Sequence, residues 1–142
     1  MRMLLWMLLY CAPLAADLAQ VRAEPNLEKR SRAALELAER SLKASRQAYA
    51  AGDMRQAESL LDEMDQSVDL VETSLKGAGK DPIKSPKQFK YAEIKTVDLL
   101  RKIEAYLQDM SVLDRPMVER AKEKVQEVHD WLLHGIMTGK KK

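Results

Sequence analysis

After Ala23 the apolar positions recur at alternating steps of three and four, the spacing that lines side chains along one face of an α-helix. Four segments carry this pattern. The second is the cleanest, with Met54, Ala57, Leu61, Met64, Val68, Val71 and Leu75 in a single stripe. The last repeats it through Val118, Ala121, Val125, Val128 and Leu132, and Ile136 extends it. The first carries Leu35, Ala38, Leu42, Ser45 and Tyr49, broadened by Ala34 and Leu37. The third is less tidy: its main line reads Ile94, Val97, Leu100, Ile103, Leu107 and Met110, beside a second line of Leu99, Tyr106 and Leu113. No segment sustains a period of two. The pattern predicts an all-α fold.

Boundary residues agree with the stripes. Asn26, after Pro25, caps the first helix, and Gly52 supplies the left-handed residue that closes it. Asp53 caps the second, with Gln56 placed to reach back as in a capping box. The clearest break is Lys76-Gly77-Ala78-Gly79-Lys80-Asp81-Pro82. Ser85 is the expected cap of the third helix, with Pro86 at its first position and Gln88 completing a box. Pro116 opens the fourth helix, and Gly135 or Gly139 ends it. Helices of about 22–27 residues, each about 33–40 Å long, follow from a rise of about 1.5 Å per residue. The expected architecture is four long antiparallel amphipathic helices in an up-down bundle. The alternative is two helical hairpins in an open, repeat-like array jointed at residues 77–84. Charge adds one expectation. The second helix is acidic (Glu58, Asp62, Glu63, Asp65, Asp69, Glu72), whereas the first and the start of the third are basic, so the second should lie between them.

The N-terminus reads differently. Arg2 precedes an apolar run over residues 3–16, broken only by Pro13, and small residues follow. This is the layout of a secretory signal peptide. A run of about 14 apolar residues is short for a membrane span, which needs roughly 20. Cleavage after Ala23 uses Val21-Arg22-Ala23, with small residues at both recognition positions; cleavage after Ala16 puts the larger Leu14 at the outer one. The preferred division is a signal peptide over 1–23, a helical domain over 24–139 and a basic tail over 140–142. The protein is then exported, periplasmic or extracellular. The single cysteine, Cys11, falls in the leader, where bulky Tyr10 argues against lipidation. The mature chain has no thiol and forms no disulfide.

Composition narrows the function classes. Charged residues are 32% of the chain but nearly cancel, for a net charge of +2, which disfavours a nucleic-acid partner. His129 and His134, the two histidines, point about 140° apart on an ideal helix. Asp130 and His134 do share a face and are the candidate metal contact, without further ligands converging on them. Neither histidine follows a glutamate by three residues, and the haem-attachment motif Cys-x-x-Cys-His is absent, so no metal or cofactor is expected. Ordinary core packing is expected to account for Met54, Met64, Met110, Met117 and Met137. No Gly-x-Ser-x-Gly turn or phosphate-binding loop occurs, and no catalytic residue is identified. The candidate interaction surface is Lys84, Lys87, Lys90 and Trp131. Trp131, near Ile136, Met137 and the terminal lysines, also allows a membrane-surface contact at the C-terminal end, although core packing explains it more simply.

Gly52-Asp53-Met54-Arg55-Gln56-Ala57, followed by Leu60 and Leu61, resembles the turn and second-helix start of a tetratricopeptide repeat, and Tyr49 fits its first helix. The resemblance covers about residues 34–64, one unit, and implies protein or peptide binding. No second copy of the spacing follows. The expected function is a non-catalytic protein-interaction or structural module, secreted or periplasmic, with an unknown protein partner. The alternative is a cofactor- or metal-binding periplasmic bundle.

Overall fold

A computed structural model describes residues 13–139, with side chains described from Asp17 onward. Cys11, most of the expected leader and the lysines of 140–142 lie outside the described residues. The order is α1 (Pro13–Arg22), α2 (Leu27–Ala50), α3 (Met54–Ala78), α4 (Lys87–Asp109) and α5 (Arg115–Thr138). No strand occurs among the described residues, and no helix there is long and apolar enough to cross a membrane. The protein is an all-α bundle. Its four long helices match the four expected segments; α1 is a further helix, within the stretch read as leader.

Local chemistry sets most of the boundaries. The Asn26 carboxamide accepts from the Lys29 amide at 3.0 Å, and the Asp53 carboxylate accepts from the Gln56 amide at 3.1 Å, so both expected caps form. The reciprocal half of the Asp53 box does not, because the Asp53 amide donates to the Ala48 carbonyl instead. Gly52, at φ +81°, makes the turn between α2 and α3. The expected Ser85 cap is corrected. Here α4 is preceded by Pro86 with no side-chain cap, and the Gln88 carboxamide accepts from the Arg32 guanidinium at 2.9 Å.

The stripes of α2, α3 and α5 are buried as expected, from Leu35 to Ser45, from Ala57 to Leu75 and from Val118 to Leu132. Of the lines expected for α4, Ile103 and Met110 of the main one and Leu99 and Tyr106 of the second are buried, but the start of the main line and Leu113 are not. Ile94 is 64% exposed, and Val97 also faces solvent. The buried face of α4 is Phe89, Ala92, Thr96, Leu99, Ile103 and Tyr106, continued by Met110. That line also steps by three and four, but it includes a threonine. Thr96 is tolerated inside because its hydroxyl donates to the Glu93 carbonyl at 2.8 Å.

Cross-helix contacts define the bundle order. The Ser45 hydroxyl on α2 donates to the Ala57 carbonyl on α3 across the turn. Between α2 and α4, Arg32 meets Gln88, Ser45 meets Tyr106 and Arg46 meets Asp109, so residue numbers rise together. Between α3 and α5, Asp69 pairs with Lys124, and Lys76 lies over Trp131, in the same sense. His129 faces Glu93 and Lys122 pairs with Glu104, so α4 and α5 are antiparallel. Direction therefore alternates along the chain while α3 and α4 sit on a diagonal with little contact. Two antiparallel hairpins lie side by side in parallel and enclose one core containing Leu61, Val68, Val125 and Leu132. The acidic helix thus lies between α2 and α5 rather than between α2 and α4. Basic α4 takes its carboxylate from α2, where Glu39 lies 3.7 Å from both Lys95 and Lys102.

Candidate functional site

The 79–86 connection folds back over one end of the bundle. Gly79, at φ +67°, terminates α3, and the Asp81 carboxylate and carbonyl accept from the Ile83 and Ser85 amides. This brings buried Pro82 against Gly135 of α5, where a β-carbon would sit 3.2 Å from the proline ring. A β-carbon at 135 would require the Pro82 ring to give by a few tenths of an ångström.

Between this connection and the helices lies a cleft of about 310 Å³. Leu75, Pro82, Phe89 and Trp131 supply its apolar lining, and Lys76, Lys80 and His134 its polar rim. Trp131 is half-buried, its ring tilted 49° to that of Phe89 with centroids 6.1 Å apart. The Lys76 ammonium lies 5.2 Å from the indole centroid and also bonds the Glu72 carboxylate at 2.8 Å. Lys80 pairs with Glu28, and that hydrogen bond holds the exposed Glu28 carboxyl below the usual carboxylate range.

Of the expected interaction residues, Trp131 lines the cleft. Lys84, Lys87 and Lys90 are exposed on the connection and the first turn of α4, at the same end of the bundle but outside the cleft itself. Together with Lys76 and Lys80 they make this end rich in ammonium groups. The candidate metal pair, Asp130 and His134, lies one turn apart on α5 and borders two different clefts. His134 lines the end cleft, whereas Asp130 lines a separate open groove between α4 and α5 and accepts from the Gln126 carboxamide at 2.9 Å. Among the described residues no cluster of three or more His, Cys, Asp or Glu side chains is placed to hold a metal ion.

Several site residues were not legible in advance. Phe89 and Pro82 come from different elements than Trp131, and of the two expected helix stops α5 ends at Gly139, leaving Gly135 within the helix. The other histidine, His129, lies mostly buried with Nε2 3.1 Å from the Glu93 carboxylate, a contact between α4 and α5 that local spacing does not reveal. Chemically, the end cleft offers an indole and a phenyl face to an apolar group, with ammonium groups beside it for a carboxylate. No protein-family model, curated protein or solved structure matches this chain.

Proposed function

We propose that this chain is exported and works as a non-catalytic binding module, and that its contact face is the lysine-rich end of the bundle around Trp131. The observation that carries the reading is the cleft itself. Its apolar lining opens beside Lys76 and Lys80, with Lys84, Lys87 and Lys90 on the same end. Such a face suits a protein segment that pairs an apolar side chain with acidic neighbours. The apolar group enters against Trp131 and Phe89 while the carboxylates meet the lysines. The likeness of the Gly52 turn to a tetratricopeptide hairpin supports the same class of role. Export rests on Arg2, the apolar 3–16 run and the small residues after it.

Site-specific photocrosslinking in intact cells of the native source tests the reading. A crosslinker at Lys84 should give a discrete protein adduct, and one at Glu58, towards the opposite end, should not. Trp131→Ala should abolish the Lys84 adduct while leaving the far-UV circular dichroism unchanged. Equal adducts from both ends, or an adduct indifferent to Trp131, would reject the site. Recovery of the protein chiefly in the cytoplasm would reject export. A replacement of Leu8 and Leu9 by charged residues should strand the precursor there.

A further inference from the structure

The seven residues before Glu24 include a folded part of the domain. Leu18 and Val21 are each 8% exposed and belong to the common core. Three residues apart on α1, they share the face that covers α2 and α3. Polar contacts flank that apolar pair on both sides. The Asp17 carboxylate lies 3.8 Å from the Arg40 guanidinium of α2, and Arg22 donates to the Gln66 carboxamide of α3 at 2.9 Å. The chain then turns under its own hydrogen bonds. The Ala23 amide donates to the Ala19 carbonyl, the Glu24 amide to the Val21 carbonyl, and the Arg30 guanidinium to the Glu24 carbonyl at 2.9 Å. Residues 17–22 therefore engage two different helices through apolar, ionic and hydrogen-bonding contacts. A disposable leader has no use for such complementarity.

Two bonds are candidates for leader removal: Ala23–Glu24, which has small residues at both recognition positions, and Ala16–Asp17, which has alanine at the cut but the larger Leu14 at the outer position. Cutting the second removes Leu18 and Val21 from the core and strips the contacts of Arg40 and Gln66. It also uncovers Glu63, a buried α3 carboxyl that burial, and then the nearby Asp17 carboxylate, push above the ordinary range. Cutting the first leaves all of this in place. It also leaves an acidic side chain at the start of the retained helix, where the helix dipole favours negative charge.

We infer that the leader is removed at the Ala16–Asp17 bond, and that Asp17–Arg22 remains in the mature protein as a short helix closing the α2–α3 face. This rests on the export reading and overrides the local preference for Val21-Arg22-Ala23. The peptidase meets an unfolded chain, so the fold does not steer the cut. The fold instead records which residues the finished domain was built to keep.

The test is the N-terminal sequence and intact mass of protein released from the envelope of the native source. A terminus at Asp17 is the expected result. A terminus at Glu24 on exported protein overturns this inference and leaves export standing, whereas Met1 on cytoplasmic protein overturns both. Two precursor variants separate the bonds. Ala23→Leu should be processed to the same Asp17 terminus as the wild type. Ala16→Leu should lose processing at that bond, with uncut precursor accumulating several-fold. The reverse behaviour of the two variants overturns the assignment.

Discussion

Tyr106 is fully buried, so its hydroxyl must be matched inside the protein. It lies 3.0 Å from the Ser45 hydroxyl and donates to the Ser45 carbonyl at 3.1 Å, while the Ser45 hydroxyl also meets the Ala57 carbonyl at 2.8 Å. One short network thus ties α2, α3 and α4. Tyr106→Phe removes the hydrogen bond but keeps the ring, and should cost about 1 kcal/mol in urea unfolding. Tyr106→Ala adds a cavity and should cost about 3–5 kcal/mol. Equal losses in the two variants would mean that the hydroxyl, not the ring, carries the stability. Asp65 behaves oppositely. Burial, followed by the neighbouring Asp62 carboxylate, pushes its carboxyl up to about 6 despite Lys124 and Arg120, and its Oδ1 has no hydrogen-bond partner. A carboxyl whose folded pKa exceeds its unfolded value favours the native state while protonated. That contribution is present at low pH and is lost as pH rises from about 4 to about 6. Asp65→Asn should therefore be neutral near pH 4 and stabilising near pH 8. Discounted for partial exposure, the gain is about 1 kcal/mol. Thermal melts of both proteins across that range check the sign, and a gain confined to acid pH would refute it.

At the scale of elements, the turn within the first hairpin and the connection between the two hairpins differ in how they are held. Gly52 adopts a left-handed conformation with open space where a β-carbon would be, so Gly52→Ala carries only a backbone cost, about 1 kcal/mol. Asp53→Ala loses a formed cap, again about 1 kcal/mol. Ser85→Ala should change stability by less than about 0.5 kcal/mol, because its side chain caps nothing and the residue is exposed. A loss at Ser85 matching that at Asp53 would contradict the observed start of α4. The α4 stripe shows why the rank of hydrophobicity misled. Isoleucine and valine outrank alanine and threonine, yet Ala92 and Thr96 face inward while Ile94 and Val97 face out. The line that includes Phe89, Leu99, Ile103 and Tyr106 buries more large side chains together than the one through Ile94 and Val97. The helix turns to bury that line.

Across the whole molecule, stability comes from one core shared by both hairpins. Leu132 is fully buried in that shared core, and Leu132→Ala should cost about 2–5 kcal/mol. The loss should appear as a single transition by both far-UV circular dichroism and tryptophan fluorescence, because neither hairpin has a separate core. Two resolved transitions would instead favour independent hairpins. The many ion pairs decorate this core rather than hold it. Arg46–Asp109, Lys124–Asp69 and Lys102–Asp98 are all partly solvent-exposed and worth about 0–1 kcal/mol each. The pairs place lysines against carboxylates but do not set the bundle order, which is why charge alone put α4 on the wrong side of α3.

The periodicity of apolar residues was enough to determine the helical class, the four long helices and the inward faces of α2, α3 and α5, because helix geometry ties sequence spacing directly to direction. Asn26, Asp53 and Gly52 were legible for the same reason, since each acts within a turn or so of its own position. Trp131 was recognisable as a large aromatic near the end of an amphipathic helix. Its surroundings were not. Phe89, Pro82 and Gly135 meet it only because the 79–86 connection crosses the end of the bundle to a diagonal helix. The pairing of His129 with Glu93 and the burial of Leu18 and Val21 were likewise decided in three dimensions. In each case the partner belongs to another element, and only the competition among faces for one core selects which partner that is.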